Sequence, residues 1–203
     1  TLSKNMASYG GNDSNGDDKN PAGMVYEAIK LAKQQNPSLN FKDYDWNNDG
    51  EVDQVYLIYA GYGESSDEDG SLANTIWPHE WQLSAANYKL SYDGVTIDTY
   101  GCSPELLGNV SYPVQMDGIG TACHEFSHCL GLPDLYDTSG SSNSAFGMDA
   151  WSLMDYGCYS DDGYKPTGYT SYERWMSGWL TPKRLTEATT ITNMAALTES
   201  PEA

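Results

Sequence analysis

Two histidines and a glutamate in the segment His-Glu-Phe-Ser-His are the residues most suited to chemistry. His124 and His128 are four positions apart, so on an α-helix they lie on one side, one turn apart. Two imidazoles placed in this way can bind one metal ion, and zinc is the usual ion for this spacing. Glu125 is offset by one position, which lets its carboxylate reach a metal-bound water without binding the metal. We therefore predict zinc-assisted amide hydrolysis, with Glu125 as general base and acid.

A catalytic zinc site needs a third protein ligand. Gly131 is suited to end the helix in a left-handed conformation and to turn the chain back. Asp134 then follows His128 by six residues, and we predict that its carboxylate is the third ligand. Two alternatives stay open, namely Asp137 and the remaining histidine, His79.

Further along the chain, Met154 and Tyr156 lie in the segment Trp-Ser-Leu-Met-Asp-Tyr-Gly. A methionine on a tight turn could form a soft apolar floor under a zinc site, and the phenol of Tyr156 could lie near the metal. Both residue types are also common in ordinary hydrophobic cores. On the residues alone, neither role is decided.

The histidines need a helix to position them, and we expect one from about Gly118 to Leu130. Its apolar residues recur at helical spacing and form a stripe: Ile119, Ala122, Cys123, Phe126 and Leu130. At about 100° per residue, His124 and His128 point almost opposite to that stripe. We therefore predict that the stripe packs on the core and that both imidazoles face away from it.

Local patterns predict three earlier elements. Asn20-Pro21 suits the start of a helix, and apolar residues then recur at helical spacing until Asn36. The unbroken β-favouring run from Val55 to Ala60 predicts an interior strand. Residues 88–100 predict a hairpin with its turn at Asp93-Gly94.

A last helix is predicted to begin near Ser171, because Thr170 and Glu173 have the spacing of a capping box. Its buried face would consist of apolar and aromatic residues: Tyr172, Trp175, Met176, Trp179 and Leu180.

Oxygen-bearing residues alternate through the loop before the Val55 strand: Asp45, Asn47, Asp49, Glu51 and Asp53. Together with Gly50, which permits a sharp bend, they resemble the first half of an EF-hand calcium loop. The twelfth position is Tyr56 rather than Glu, and a strand follows instead of a helix, so the loop is no true EF-hand. We predict a structural half-loop calcium site; the alternative is an Asx-rich turn.

The charge balance excludes two classes of partner. The 203 residues include 29 acidic and 10 basic side chains, for a formal net charge of −19. Such a field repels nucleic acid and anionic lipid, and no apolar run is long enough to span a bilayer. We expect one domain or two packed subdomains. The chain begins at Thr1, and we expect it to be a trimmed part of a longer protein.

These residues together resemble the metzincin clan of peptidases and, within it, the immune inhibitor A family of bacterial secreted metallopeptidases. The resemblance covers about Tyr9 to Leu180. It rests on the following stretches: His124-Glu125-x-x-His128-x-x-Gly131-x-x-Asp134, in which Asp replaces the third His of most metzincins; Leu-Pro-Asp-Leu-Tyr-Asp137; Ser-Leu-Met154-Asp-Tyr156-Gly; Asp-Gly-x-Val-Asp53; and Ile-Trp-Pro-His79.

The resemblance implies an α/β (α+β) fold with a twisted, mixed five-stranded sheet, a backing helix and an active-site helix. Residues 1–131 would form this N-terminal subdomain. Residues 132–182 would form a smaller, irregular C-terminal subdomain with the third ligand, a Met-turn at Met154 and one helix, and residues 183–203 would begin a further segment. The implied function is that of a secreted zinc-dependent endopeptidase acting on polypeptides, with Tyr156 assisting catalysis. We expect a monomer.

Two other functions are compatible with parts of the sequence. A gluzincin-type peptidase would take its third ligand from a downstream glutamate, for which Glu173 is the candidate before the tail. A calcium-stabilised binding or adhesion module would carry a zinc site that has lost activity. The presence of Glu125 argues against the second alternative, because loss of that carboxylate is the simplest way to inactivate such a site.

Overall fold

The structure, a computed structural model, describes residues 1–67, 69–111, 113–139, 145–196 and 199. The protein is a mixed α/β molecule with few helices. Its helices are α1 (Met6–Tyr9), α2 (Pro21–Gln35), α3 (Ile119–Cys129) and α4 (Ser171–Met176), and its strands are β1 (Val55–Tyr62), β2 (His79–Gln82), β3 (Ser91–Tyr92), β4 (Val95–Thr96) and β5 (Thr99–Leu106).

The main sheet is mixed and has the order β1-β5-β2, with β1 parallel and β2 antiparallel to β5. β3 and β4 pair with each other as a separate hairpin. The expected single sheet of five strands is therefore not confirmed: within the described part of the chain, the strands divide into a sheet of three and a hairpin of two. β3 and β4 are two residues long each and pair with each other.

β1 was expected in the interior of the sheet, and this prediction is wrong. It lies at an edge, where Ile58 is 65% exposed. The central strand is β5, whose middle residues Gly101, Cys102 and Ser103 are all buried. An apolar run reports the tendency to form a strand but not how many neighbours the strand has. Small residues can occupy the centre equally well.

The predicted helix and hairpin of the N-terminal half are confirmed. α2 begins where the Asn20 side chain accepts a hydrogen bond from the backbone N–H of Gly23, at 3.1 Å. At the hairpin turn, Asp93 and Gly94 both have positive φ (55° and 84°), as a type I′ turn requires. The core is formed mainly by residues of α2, the hairpin and β5: Met24, Val25, Ile29, Val95, Ile97, Tyr100 and Cys102.

α3 packs against β5, β2 and the 3₁₀ turn Tyr156–Tyr159. Its buried residues are Gly120, His124, Glu125 and Ser127, whereas Ile119 and Phe126 of the apolar stripe are 61% and 37% exposed. The predicted orientation of α3 is therefore wrong. Gly120 allows the reversed packing, because a Cβ there would lie 1.8 Å from the Cys158 carbonyl oxygen.

α4 begins with the predicted capping box of Thr170 and Glu173. Its predicted buried face is wrong except at Leu180, since Trp175 is 54% exposed and Glu173 is the buried residue of the helix. Within the described ranges, no helix is both long and apolar enough to cross a bilayer.

Candidate metal centre

Three side-chain atoms converge where α3 meets the loop that follows it. His124 Nε2 and His128 Nε2 are 3.2 Å apart. Asp134 Oδ1 lies 3.1 Å from the first and 3.2 Å from the second. The three atoms thus form a nearly equilateral triangle. Three ligands of a tetrahedral zinc ion, each about 2.0–2.1 Å from it, lie about 3.3 Å apart, so the triangle has the dimensions of a zinc site.

Backbone carbonyls fix the orientation of both imidazoles. Nδ1 of His124 lies 2.9 Å from the carbonyl oxygen of Leu153, and Nδ1 of His128 lies 2.7 Å from that of Leu132. A carbonyl can only accept, so each Nδ1 carries the proton and each Nε2 presents a lone pair. This is the tautomer in which metal-binding histidines are usually held.

The loop after α3 brings Asp134 back towards the histidines. Gly131 has a φ of 87°, and its N–H donates to the carbonyl of His128 at 2.8 Å, which ends the helix in the predicted left-handed conformation. Asp134 Oδ1 is buried, and while both imidazoles are neutral it faces two Nε2 lone pairs and receives no hydrogen bond from them. Three acceptors that face one another in this way suit a cation.

The pKa values of His124, His128 and Asp134 also indicate that the centre favours a positive charge. Burial lowers the pKa of His124, but the Asp134 carboxylate and the Leu153 carbonyl more than offset it, and the pKa rises to about 10. Burial also lowers the pKa of His128, but Asp134 and the Leu132 carbonyl outweigh it, so this pKa is raised as well. Partial burial raises the pKa of Asp134, but the two imidazoles hold it well below its usual range. In the metal-free chain, protons compete for the centre.

Glu125 lies beside this triangle. Its carboxylate and the two imidazoles offer atoms that all lie within 4.8 Å of one another. The side chain is 7% exposed, and burial raises its pKa to about 7, a shift that the two histidines reduce. A carboxylate with such a pKa is suited to taking up and releasing a proton near neutral pH.

The centre opens into a cleft of about 300 Å³ that His124 and Glu125 line together with Tyr156. Tyr156 is 65% exposed, so its phenol stands in the cleft wall rather than in the core. Met154 is fully buried and follows Leu153, whose carbonyl holds His124. The structure thus places Met154 next to the support of a candidate ligand.

The alternative ligands lie elsewhere. Both ring nitrogens of His79 are engaged, Nδ1 with the Trp77 carbonyl at 2.6 Å and Nε2 with the Tyr100 hydroxyl at 2.9 Å. Asp137 accepts hydrogen bonds from two backbone N–H groups of its own loop. Glu173 is bound within the capping box of α4. Among the residues that the structure describes, no hydrogen bond directs any of these three side chains towards the triangle.

The loop proposed to bind calcium is held by its own backbone. Asp45 accepts from the N–H groups of Asp49 and Gly50 at 3.0 and 3.2 Å, and Asp49 accepts from that of Glu51 at 2.9 Å. These bonds are those of an Asx-rich turn. The side chains of Asp45 and Asp49 thus face the backbone of the same loop.

Sequence analysis missed several residues of the cleft. Tyr136, Tyr159, Trp77 and Pro78 line it as well. Burial raises the pKa of Tyr136 to about 12, and the negative charge of Asp134 adds to the shift. The position of Tyr136, two residues after a candidate ligand, was a usable signal. Trp77 and Pro78 come directly before β2, in the stretch Ile-Trp-Pro-His79 that the family resemblance includes. That stretch did not predict their place in the cleft, because only the fold brings them to α3.

Comparison with known proteins gives one family match and similar proteins from two bacteria. The profile of the family described as "Immune inhibitor A peptidase M6, catalytic domain" matches residues 1–184. The chain is 26% identical over 189 residues to Immune inhibitor A of Bacillus thuringiensis subsp. alesti, with 84% of the chain covered. It is 29% identical over 191 residues to the Pre-pro-metalloprotease PrtV of Vibrio cholerae serotype O1 (strain M66-2), with 85% covered.

The chain spans 27% and 20% of the length of these two relatives, so it corresponds to one part of each. The profile match nevertheless extends over most of the 203 residues. A match of that extent establishes membership: the chain belongs to the immune inhibitor A family of M6 peptidases.

Proposed function

We propose that this domain is a zinc-dependent endopeptidase whose metal is held by His124, His128 and Asp134. The observation that carries the proposal is the triangle of two Nε2 atoms and one Oδ1 atom with edges of 3.1–3.2 Å. Family membership implies a metal, usually zinc, and the arrangement of two nitrogens and one carboxylate oxygen suits that ion. The position of Glu125 beside the triangle supports hydrolysis rather than a purely structural site.

A zinc ion held by His124, His128 and Asp134 would supply Lewis-acid chemistry, which acidifies water and polarises a peptide carbonyl. Glu125 accepts the proton of the attacking water and then passes it to the nitrogen of the leaving amine. In the metal-free chain, burial raises the pKa of this carboxyl group to about 7, and a bound zinc ion beside it would favour the carboxylate that accepts the proton. Tyr156 lies in the wall of the same cleft, where its phenol donates a hydrogen bond to the carbonyl oxygen of the substrate.

Casein hydrolysis tests this function. The protein loaded with one zinc per chain should release peptides from casein, a chelator should stop the reaction, and zinc added back should restore it. A non-catalytic binding module would retain its fold and bind zinc without releasing peptides. Absence of hydrolysis at full zinc content would therefore favour the binding module and contradict the proposal.

We also propose that residues 45–53 bind calcium in a structural role. Because a ligand that binds the native state stabilises it by mass action, a calcium-selective chelator should lower the melting temperature before any zinc is lost. Asp49→Ala should lower it similarly and make the protein insensitive to added calcium. If added calcium leaves the melting temperature of the parent unchanged, the loop is an Asx-rich turn only.

The finer assignments of fold and location are proposals as well. We propose a metzincin-like arrangement. It is supported by the strand order β1-β5-β2, by α3 and by the turn at Met154. We propose a division between residues 131 and 132, a further segment from residue 183, a monomeric state and secretion of the bacterial protein. These four proposals rest on the family resemblance.

A further inference from the structure

Glu173 in α4 is a buried carboxylate far along the chain from the metal centre. It is 1% exposed, and each of its two oxygens has a different partner. Oε2 accepts from the backbone N–H of Thr170 in the capping box, at 2.5 Å, whereas Oε1 accepts from the hydroxyl of Ser152 at 2.7 Å. A capping box requires only the first of these contacts. The second one is unexplained by helix capping.

Ser152 connects Glu173 to the turn at Met154 through hydrogen bonds. Its hydroxyl oxygen accepts from the backbone N–H of Met154 at 3.0 Å while its proton points to Glu173. Its carbonyl accepts from the N–H groups of Asp155 and Gly157 at 3.2 and 3.0 Å. Ser152 is fully buried, so no water competes for these bonds. The conformation of the turn therefore depends on the Ser152 hydroxyl.

Backbone carbonyls of this turn accept hydrogen bonds at or beside two of the three candidate ligands, His124 and Asp134. The Leu153 carbonyl holds Nδ1 of His124 at 2.9 Å. The Met154 carbonyl accepts from the N–H of Leu135, the residue next to Asp134, at 2.8 Å. A continuous series of hydrogen bonds thus leads from α4 through Ser152 and the turn to the imidazole of His124.

We propose that Glu173 and Ser152 are positioning residues of the metal centre: they fix the Leu153 carbonyl and, through it, the direction in which His124 presents Nε2. This inference rests on the proposed zinc site. Groups that orient a metal ligand change metal affinity about 10–100-fold when they are lost. Ser152 acts through one additional residue, so an effect near the lower end of that range follows.

The two oxygens of Glu173 allow positioning to be separated from helix capping. Ser152→Ala removes the bond to Oε1 and leaves the capping box intact. Thr170→Ala is the matched control, since it removes a capping side chain and leaves the Ser152 contact. Ser152→Ala should lower zinc affinity about tenfold, measured by competition with a chelating dye. It should also alter the visible spectrum of the cobalt-substituted protein, which reports ligand geometry. Thr170→Ala should lower the melting temperature by about 2–4 °C and leave both metal readouts unchanged.

Parent-like zinc affinity and cobalt spectrum in Ser152→Ala would overturn the inference, and so would an equal loss of affinity in Thr170→Ala, which would indicate general destabilisation. If Ser152→Ala does not fold, Glu173→Gln replaces it: one amide oxygen cannot serve both donors, so zinc affinity should fall more than in Thr170→Ala. A parent chain that binds no zinc would contradict the proposed function itself, and this inference with it. A parent that binds zinc beside an unaffected Ser152→Ala would contradict the inference alone.

Discussion

Replacing Glu125 with Ala should lower turnover of the zinc-loaded protein by at least about 10²–10⁴-fold, the usual loss for one positioned acid–base group. Zinc should stay bound, because the triangle of candidate ligands consists of His124, His128 and Asp134 without Glu125. The measurement is the initial rate of casein cleavage, with zinc content determined in the same sample. Metal loss would otherwise mimic a chemical defect.

Two conservative substitutions refine this experiment. Glu125→Gln keeps the size of the side chain but cannot take up a proton, so it should be nearly as inactive as Glu125→Ala. Tyr156→Phe should lower turnover less than Glu125→Ala does, because it removes a hydrogen-bond donor and leaves the general base in place. If zinc-loaded Glu125→Ala cleaves an unstructured protein near the parent rate, the assignment of peptidase activity to this site is wrong.

Much of the site's geometry was predictable because it is local. The spacing of four brings His124 and His128 together on any α-helix, and Gly131 turns the chain so that Asp134 can return to them. The orientation of the helix was not predictable in the same way. The polar face of α3 is buried because Gly120 lets it approach the segment around Cys158, and that neighbour comes from a distant part of the chain.

The elements of the fold also separate into those that local sequence determines and those that tertiary packing determines. α2 and the hairpin at Asp93-Gly94 depend on caps, spacing and turn residues that lie within a few positions of one another. The edge position of β1 and the exposure of Trp175 in α4 depend on which elements pack against them. An apolar face indicates that its burial against another element is favourable, but the sequence of the face does not say which element that is.

The supports of the ligands were also outside the reach of sequence analysis. Glu173 was interpretable as a helix cap, because the capping box needs only four consecutive residues. Its second contact joins residues that are 21 positions apart. The same holds for the Leu153 carbonyl, which lies 29 positions from His124. Hydrogen bonds of this kind are decided by tertiary packing.

Asp134→Ala should remove the third candidate ligand and with it both tight zinc binding and casein hydrolysis. The loss of affinity should exceed the roughly 10–100-fold that follows when only a group supporting a ligand is removed. In the metal-free protein, the same substitution should lower the pKa of His124, because the Asp134 carboxylate raises it and burial then acts unopposed by that charge. Zinc titration and an NMR titration of the histidines measure the two effects.

Asp137→Ala is the control that gives this experiment its meaning. Asp137 lies three residues further along the same loop, but its carboxylate accepts from the N–H groups of Ser139 and Ala145, at 2.9 and 2.6 Å. Its removal should therefore loosen the loop without reducing zinc affinity to the extent seen for Asp134. Unchanged zinc affinity in Asp134→Ala, combined with a loss in Asp137→Ala, would reverse the assignment. The pKa readout decides the matter independently, because Asp134 contacts His124 and raises its pKa, whereas Asp137 accepts from backbone N–H groups; the pKa of His124 should therefore fall in Asp134→Ala and change little in Asp137→Ala.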